Sequence, residues 1–106
     1  MKSNGSYTVK SYWNTGILNY SFQTDFVLRS GYDYINKSYN PNVTIIGGTY
    51  DNEKVSVQRK HETSTKRAYS RMDFSYEVFT GKSSVDFYFQ VGNNDYETTL
   101  SLKDSK

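Results

Sequence analysis

The chain contains no cysteine, which excludes a disulfide scaffold and every zinc or redox site built on thiolates. It has a single histidine, His61, so a hydrolytic triad would have to be assembled around that one imidazole. His61 sits among Arg59, Lys60 and Lys66, with Glu62 as the only carboxylate close in sequence. Such surroundings disfavour its charged form and suit an exposed hairpin histidine better than a catalytic base. A single proline, Pro41, falls between segments rather than inside one. No apolar run approaches the length of a membrane-spanning helix, and no apolar signal segment opens the chain. Repeats, linkers and low-complexity tracts are also missing. The 106 residues therefore read as one domain, 1–106, with frayed ends expected near 1–5 and 104–106.

Apolar residues are scarce, at 35%, yet aromatics reach 17% because there are eleven Tyr and six Phe. Tyrosine supplies apolar area while its hydroxyl still requires a partner or water, which implies a thin core under a wet surface. Abundant Asn, Ser, Thr, Tyr and Lys with almost no Ala is the composition expected of an exported bacterial domain, secreted or at the cell surface. On that reading the signal peptide has been removed and Met1 added; a cytoplasmic location is the alternative.

The positive signal is alternation. Leu18, Tyr20, Phe22, Thr24, Phe26 and Leu28 alternate with Asn19, Ser21, Gln23, Asp25, Val27 and Arg29, the pattern of a half-buried strand. It returns at Ala68 to Val78, at Val85 to Val91 and at Tyr96 to Leu102. Shorter candidates are Tyr7 to Trp13, Tyr32 to Asn36, Val43 to Tyr50 and Lys54 to His61. Turn chemistry separates them at Asn14-Thr15-Gly16, Ser30-Gly31, Asn40-Pro41-Asn42, Asp51-Asn52, Gly81-Lys82 and Gly92 to Asp95, while Gly47-Gly48 reads as a bulge or close approach inside a strand. About eight short strands without a helical window predict an all-β, single-domain antiparallel β-sandwich, Ig-like or related, with a small barrel as runner-up. Trp13 shares parity with Tyr7 and Val9 and is expected in the core; Tyr32 and Tyr34 suit core or surface equally.

Site chemistry is sparse. Asp25, Asp73, Glu77 and Asp86 take outward positions, and no acid has the apolar surroundings that raise a carboxyl pKa. Asp51-Asn52-Glu53 and Asn93-Asn94-Asp95 supply oxygen ligands but also make ordinary turns. No metal or cofactor is expected.

Charge is unevenly placed. The stretch Gln58 to Arg71, QRKHETSTKRAYSR, holds five basic side chains against Glu62, a sum of +4 within a chain whose net charge is +2. If the flanking strands pair with residue numbers summing to 127, Val55 opposes Met72 and Val57 opposes Ser70 inside, while Lys54 faces Asp73, Gln58 faces Tyr69 and Lys60 faces Arg67 outside. Arg59 and Ala68 then point inward. The outward face carries Lys60, Arg67, Tyr69 and Arg71, with Lys66 and His61 at the tip. It could hold phosphate or carboxylate groups through Arg and a ring through Tyr69; it could equally be a charged hairpin that protects a sheet edge.

The function expected from these features is a non-enzymatic exported β-sandwich that binds an envelope component, an anionic ligand or a protein partner. The tentative ligand-binding residues are Lys60, Lys66, Arg67, Tyr69 and Arg71. Anionic envelope polymers such as teichoic acid and lipid head groups fit that face; nucleic acid fits poorly, because the rest of the chain sums to −2 and carries no recognised motif. A secreted effector of the bacteriocin or small-toxin type is the runner-up, an inhibitor or immunity-type protein using Tyr32 to Pro41 the third class. An enzyme ranks last.

Overall fold

The computed structural model describes residues 2–102, so the expected fraying of 104–106 and of Met1 lies outside the described residues. Seven strands follow one another: β1 (Gly5–Asn14), β2 (Leu18–Leu28), β3 (Tyr34–Ile45), β4 (Gly48–Arg59), β5 (Ala68–Val78), β6 (Gly81–Gly92) and β7 (Asp95–Thr99). They form two antiparallel sheets, β1-β2-β3 and β4-β5-β6-β7. Every pairing joins consecutive strands, so the sandwich is a meander folded in two, without the Greek-key crossover of Ig-type sandwiches. Residues 2–5, expected to fray, are instead tied down: the Lys2 amide donates to the Asn94 carbonyl at 2.8 Å and its ammonium lies 3.0 Å from Asp95.

The alternation in β2 and β5 is realised as the core. Leu18, Tyr20, Phe22, Phe26 and Leu28 from β2 meet Ala68, Met72, Phe74, Phe87, Phe89 and Val91 from the facing sheet. Aromatic edges lock the two layers, with Tyr20 and Phe22 both edge-on to Phe87 at 5.0 and 5.7 Å and Phe26 against Phe89 at 5.1 Å. Each such pair adds about 0.5–1.5 kcal/mol to the burial itself, which suits a chain with few aliphatic residues. At mid-core, Thr24 and Ser70 are fully buried, and their hydroxyls are linked through Ser38 at 2.9 and 2.5 Å. Polar groups this deep are tolerable because each finds a partner.

Two expected boundaries change places. Asn40-Pro41-Asn42 is a bulge inside β3, where Asn40 (φ +54°) and Pro41 together oppose Phe22. Asn52 (φ +58°) likewise makes a bulge inside β4. The true turn is Ile46-Gly47, with Gly47 at φ +76°, where the chain passes from one sheet to the other. Both β3 and β4 end their sheets, and an edge strand accepts Pro because one row of its N–H groups has no ladder partner. Fusing short candidates through these bulges reduces about eight strands to seven.

Three turns, two closing hairpins at 15–17 and 79–80 and one crossing between the sheets at 46–47, crowd one end of the molecule. The segments 29–33, 60–67 and 93–94 gather at the other. Strands of up to twelve residues, about 3.3 Å each, give a long axis of 48 Å with a cross-section of 22 × 20 Å.

Candidate functional site

The basic stretch divides in the structure. The sum-127 register holds from Lys54 against Asp73 to Val57 against Ser70, then breaks: Gln58 bulges and Arg59, not Gln58, opposes Tyr69. One extra residue reverses parity, so Arg59, expected inward, lies over the Tyr69 ring at 5.1 Å. Lys60 never opposes Arg67. Beyond Arg59 the chain turns to the first sheet, where the Lys60 carbonyl accepts from the Ile35 amide at 2.8 Å and His61 bridges Tyr34. This avoids the like-charge pair the simple hairpin would impose.

The remaining cations meet carboxylates. Arg71 donates through Nε and Nη2 to Asp86 at 3.0 and 2.6 Å, Arg67 Nη1 reaches Glu97 at 3.2 Å and Lys54 lies 3.8 Å from Asp73. Arg67 lies across Gly92, where any Cβ would come within 2.8 Å of its Cγ. Tyr69 sits half-buried beside Tyr88, ring centres 6.3 Å apart. Lys66 closes a tight turn, its amide donating to the Thr63 hydroxyl at 2.9 Å. Of the five candidates, Tyr69 and Arg71 share the outer face of the four-stranded sheet, Arg67 reaches over its β6-β7 edge, and Lys60 and Lys66 belong to the loop. His61 stacks on Tyr32 at 4.9 Å.

At this end Asp33 overturns the expectation that no acid has surroundings that raise its pKa, and Glu62 is buried beside it. Asp33 is completely buried and Glu62 nearly so. Asp33 accepts the amides of Arg29 and Asn94 at 2.8 and 2.7 Å, while Glu62 accepts those of Asp33 and Asn93 at 2.5 and 3.3 Å. Burial pushes the Asp33 carboxyl above its ordinary range, the two backbone donors oppose this, and the neighbouring Glu62 reinforces it. Because their partners are backbone amides of the 29–33 and 93–94 loops, and Glu62 comes from the 60–67 loop, the pair works as a clamp that closes the end of the sandwich. The sequence signal was slight: Glu62 is the one acid of a basic stretch, and Asp33 follows a glycine turn.

The outer face of the three-stranded sheet differs in character. Past Ser11, whose hydroxyl meets that of Thr98 at 2.9 Å, β1 outruns the facing strand β7, which ends at Thr99. Trp13, expected in the core, is therefore 44% exposed, and Tyr12 beside it is 70% exposed. These rings border a groove of about 440 Å³ floored by Asn14, Asn19, Ser21, Asn42 and Thr44, with Lys10 on its flank. A second hollow of about 400 Å³ shares Lys10, Ser21 and Asn42 and adds Gln23, Asn40 and Pro41, so the trough is continuous along the sheet. The bulge at Asn40-Pro41 bends β3 and shapes its wall. The Asn19 side-chain oxygen is buried and has no hydrogen-bond partner within the protein. The trough is thus an array of amides and hydroxyls beside the exposed Tyr12 ring, with one cation and no carboxylate; Trp13, paired with the core residue Tyr20, turns to the opposite face at its rim.

No protein-family model matches the chain, and no curated protein matches it. The crystal structure of a hypothetical protein from Listeria monocytogenes is similar, with a TM-score of 0.77 and 22% identity over 94% of this chain and 70% of that one. What the two share is the fold. An all-β architecture of this kind therefore occurs in a bacterial protein, at an identity that carries no function across.

Proposed function

We propose that this protein is a non-enzymatic, exported binding domain that holds a glycan of the cell envelope in the trough on the outer face of β1-β2-β3. The observation that carries the reading is the composition of that trough. An exposed ring such as Tyr12 stacks on the apolar C–H face of a sugar, and planar amides such as Asn14, Asn19 and Asn42 donate and accept at neighbouring hydroxyls. The basic hairpin supports an anionic ligand less well, because Arg67 and Arg71 already face Glu97 and Asp86. Asp33 and Glu62 are engaged in the clamp, Asp25, Asp73, Asp86, Asp95 and Glu97 in ion pairs and His61 in ring stacking, which favours binding over acid–base chemistry.

Affinity electrophoresis through gels cast with neutral envelope polysaccharides tests the proposal. Retardation should weaken about tenfold in Tyr12→Ala and in Asn42→Ala, a loss of ~1.4 kcal/mol, and should persist at high salt. Retention on anionic polymers that salt abolishes, and that disappears in Lys60→Ala/Arg67→Ala/Arg71→Ala, would move the site to the hairpin.

A further inference from the structure

The pole formed by the turns at 15–17, 46–47 and 79–80 carries an apolar residue on each tip. Ile17 is 54% exposed, Ile46 64% and Phe79 101%. The first two are adjacent, since the Ile46 amide donates to the Ile17 carbonyl at 2.8 Å. The third is brought close by β4-β5 pairing, in which Gly48 opposes Val78. Behind the tips stand Trp13 and Tyr50, each within about three residues of its turn, or roughly 10 Å along the strand. Charge is sparse here: none falls within 11–24, 38–50 or 78–81, and the exposed Glu77 and Lys82 that flank the Phe79 turn oppose each other and sum to zero. Apolar tips, then aromatic rings, then polar amides form a gradient that matches the passage from acyl chain through interface to water.

We infer that this pole seats the protein on an uncharged lipid bilayer surface, with Ile17, Ile46 and Phe79 inserted among the outer acyl carbons. Two observations favour a bilayer over a second copy of the chain. The apolar surface at the pole is confined to three side chains on turn tips within a 22 × 20 Å cross-section, without the broad apolar centre of a stable protein interface. The tips carry no charge, and Glu77 and Lys82 behind Phe79 cancel each other, so the end meets no penalty at a neutral membrane. Insertion at three turn tips is shallow and reversible, and differs from spanning: no helix among the described residues is long and apolar enough to cross a membrane.

The single tryptophan supplies the probe. Titrating the protein with phosphatidylcholine vesicles that contain no glycan should shift Trp13 emission to the blue and carry the protein down on co-sedimentation. Raising NaCl to ~0.5 M should leave binding unchanged. The variant Ile17→Ser/Ile46→Ser/Phe79→Ser should lose about tenfold or more of its bound fraction while keeping its melting temperature; if it melts early, Phe79→Ser alone, at a fully exposed site, carries the comparison. Absence of shift and of co-sedimentation up to about millimolar lipid would overturn the inference. So would binding that salt removes and the triple variant retains, or self-association at micromolar protein that the same substitutions abolish. None of these outcomes bears on the glycan trough, because the vesicles carry no sugar.

Discussion

Asp33 carries a disproportionate share of one end of the sandwich, because the Arg29 and Asn94 amides have its carboxylate as their acceptor. Asp33→Ala would strand two buried donors at about 1–3 kcal/mol each, so a loss near 3 kcal/mol is expected in urea denaturation. Its raised pKa also fixes a sign. A carboxyl held above its unfolded value binds more protons when folded, so its contribution is fully present below about pH 4 and is lost as pH rises through the folded pKa. Stability followed from about pH 4 to 7 should therefore decline in a component that Asp33→Asn removes. Asp25 behaves oppositely: the Thr8 hydroxyl, then that of Tyr39 and the Lys37 ammonium, hold its pKa down, so its contribution disappears only in strong acid. Reading these residues from sequence alone fails for a plain reason. Parity assigns Asp25, Asp73, Glu77 and Asp86 correctly to outward faces, but Asp33 and Glu62 lie in loops, where no period says what a side chain meets.

At the scale of elements, the long alternating segments were legible because a period of two, with Phe and Leu on one side, has only one burial solution. The ends of β3 and β4 were not, because Asn at positive φ serves equally in a turn and in a bulge. Asn40-Pro41-Asn42 and Asp51-Asn52 resemble turns, and Gly47-Gly48 resembles a bulge, yet each does the other's work once edge position and sheet crossing are known. Two substitutions expose the difference. Asn52→Ala removes, at φ +58°, the short amide side chain that lets Asn adopt the left-handed region, expected to cost about 1 kcal/mol. At Gly48 a Cβ would fall on the Glu77 carbonyl oxygen and crowd Val78 and Ile45, all firmly placed. Gly48→Ala should therefore destabilise by about 2 kcal/mol or more, read as an early thermal transition, whereas Gly16→Ala, with open space around its Cβ, should pay only for its positive φ. The basic hairpin teaches the same lesson: a single bulged residue, Gln58, exchanged Arg59 for Lys60 on the outer face.

Over the whole molecule, chemistry is sorted along the 48 Å axis. One pole gathers Arg29, Lys60, His61 and Lys66 over a buried acid clamp; the other presents uncharged apolar tips; the trough runs between them on one sheet. The sequence disclosed the first pole as a charge cluster. It hid the trough, whose amides come from three strands, and the exposure of Trp13, which arises because β1 outruns β7. The most direct test is a site-resolved one: the two-dimensional amide spectrum of the labelled protein titrated with a soluble neutral envelope glycan. Shifts concentrated at Tyr12, Asn14, Asn19 and Asn42, including the Asn19 side-chain amide, are predicted; shifts confined to Lys60 to Arg71, or none at saturating glycan, would contradict the account.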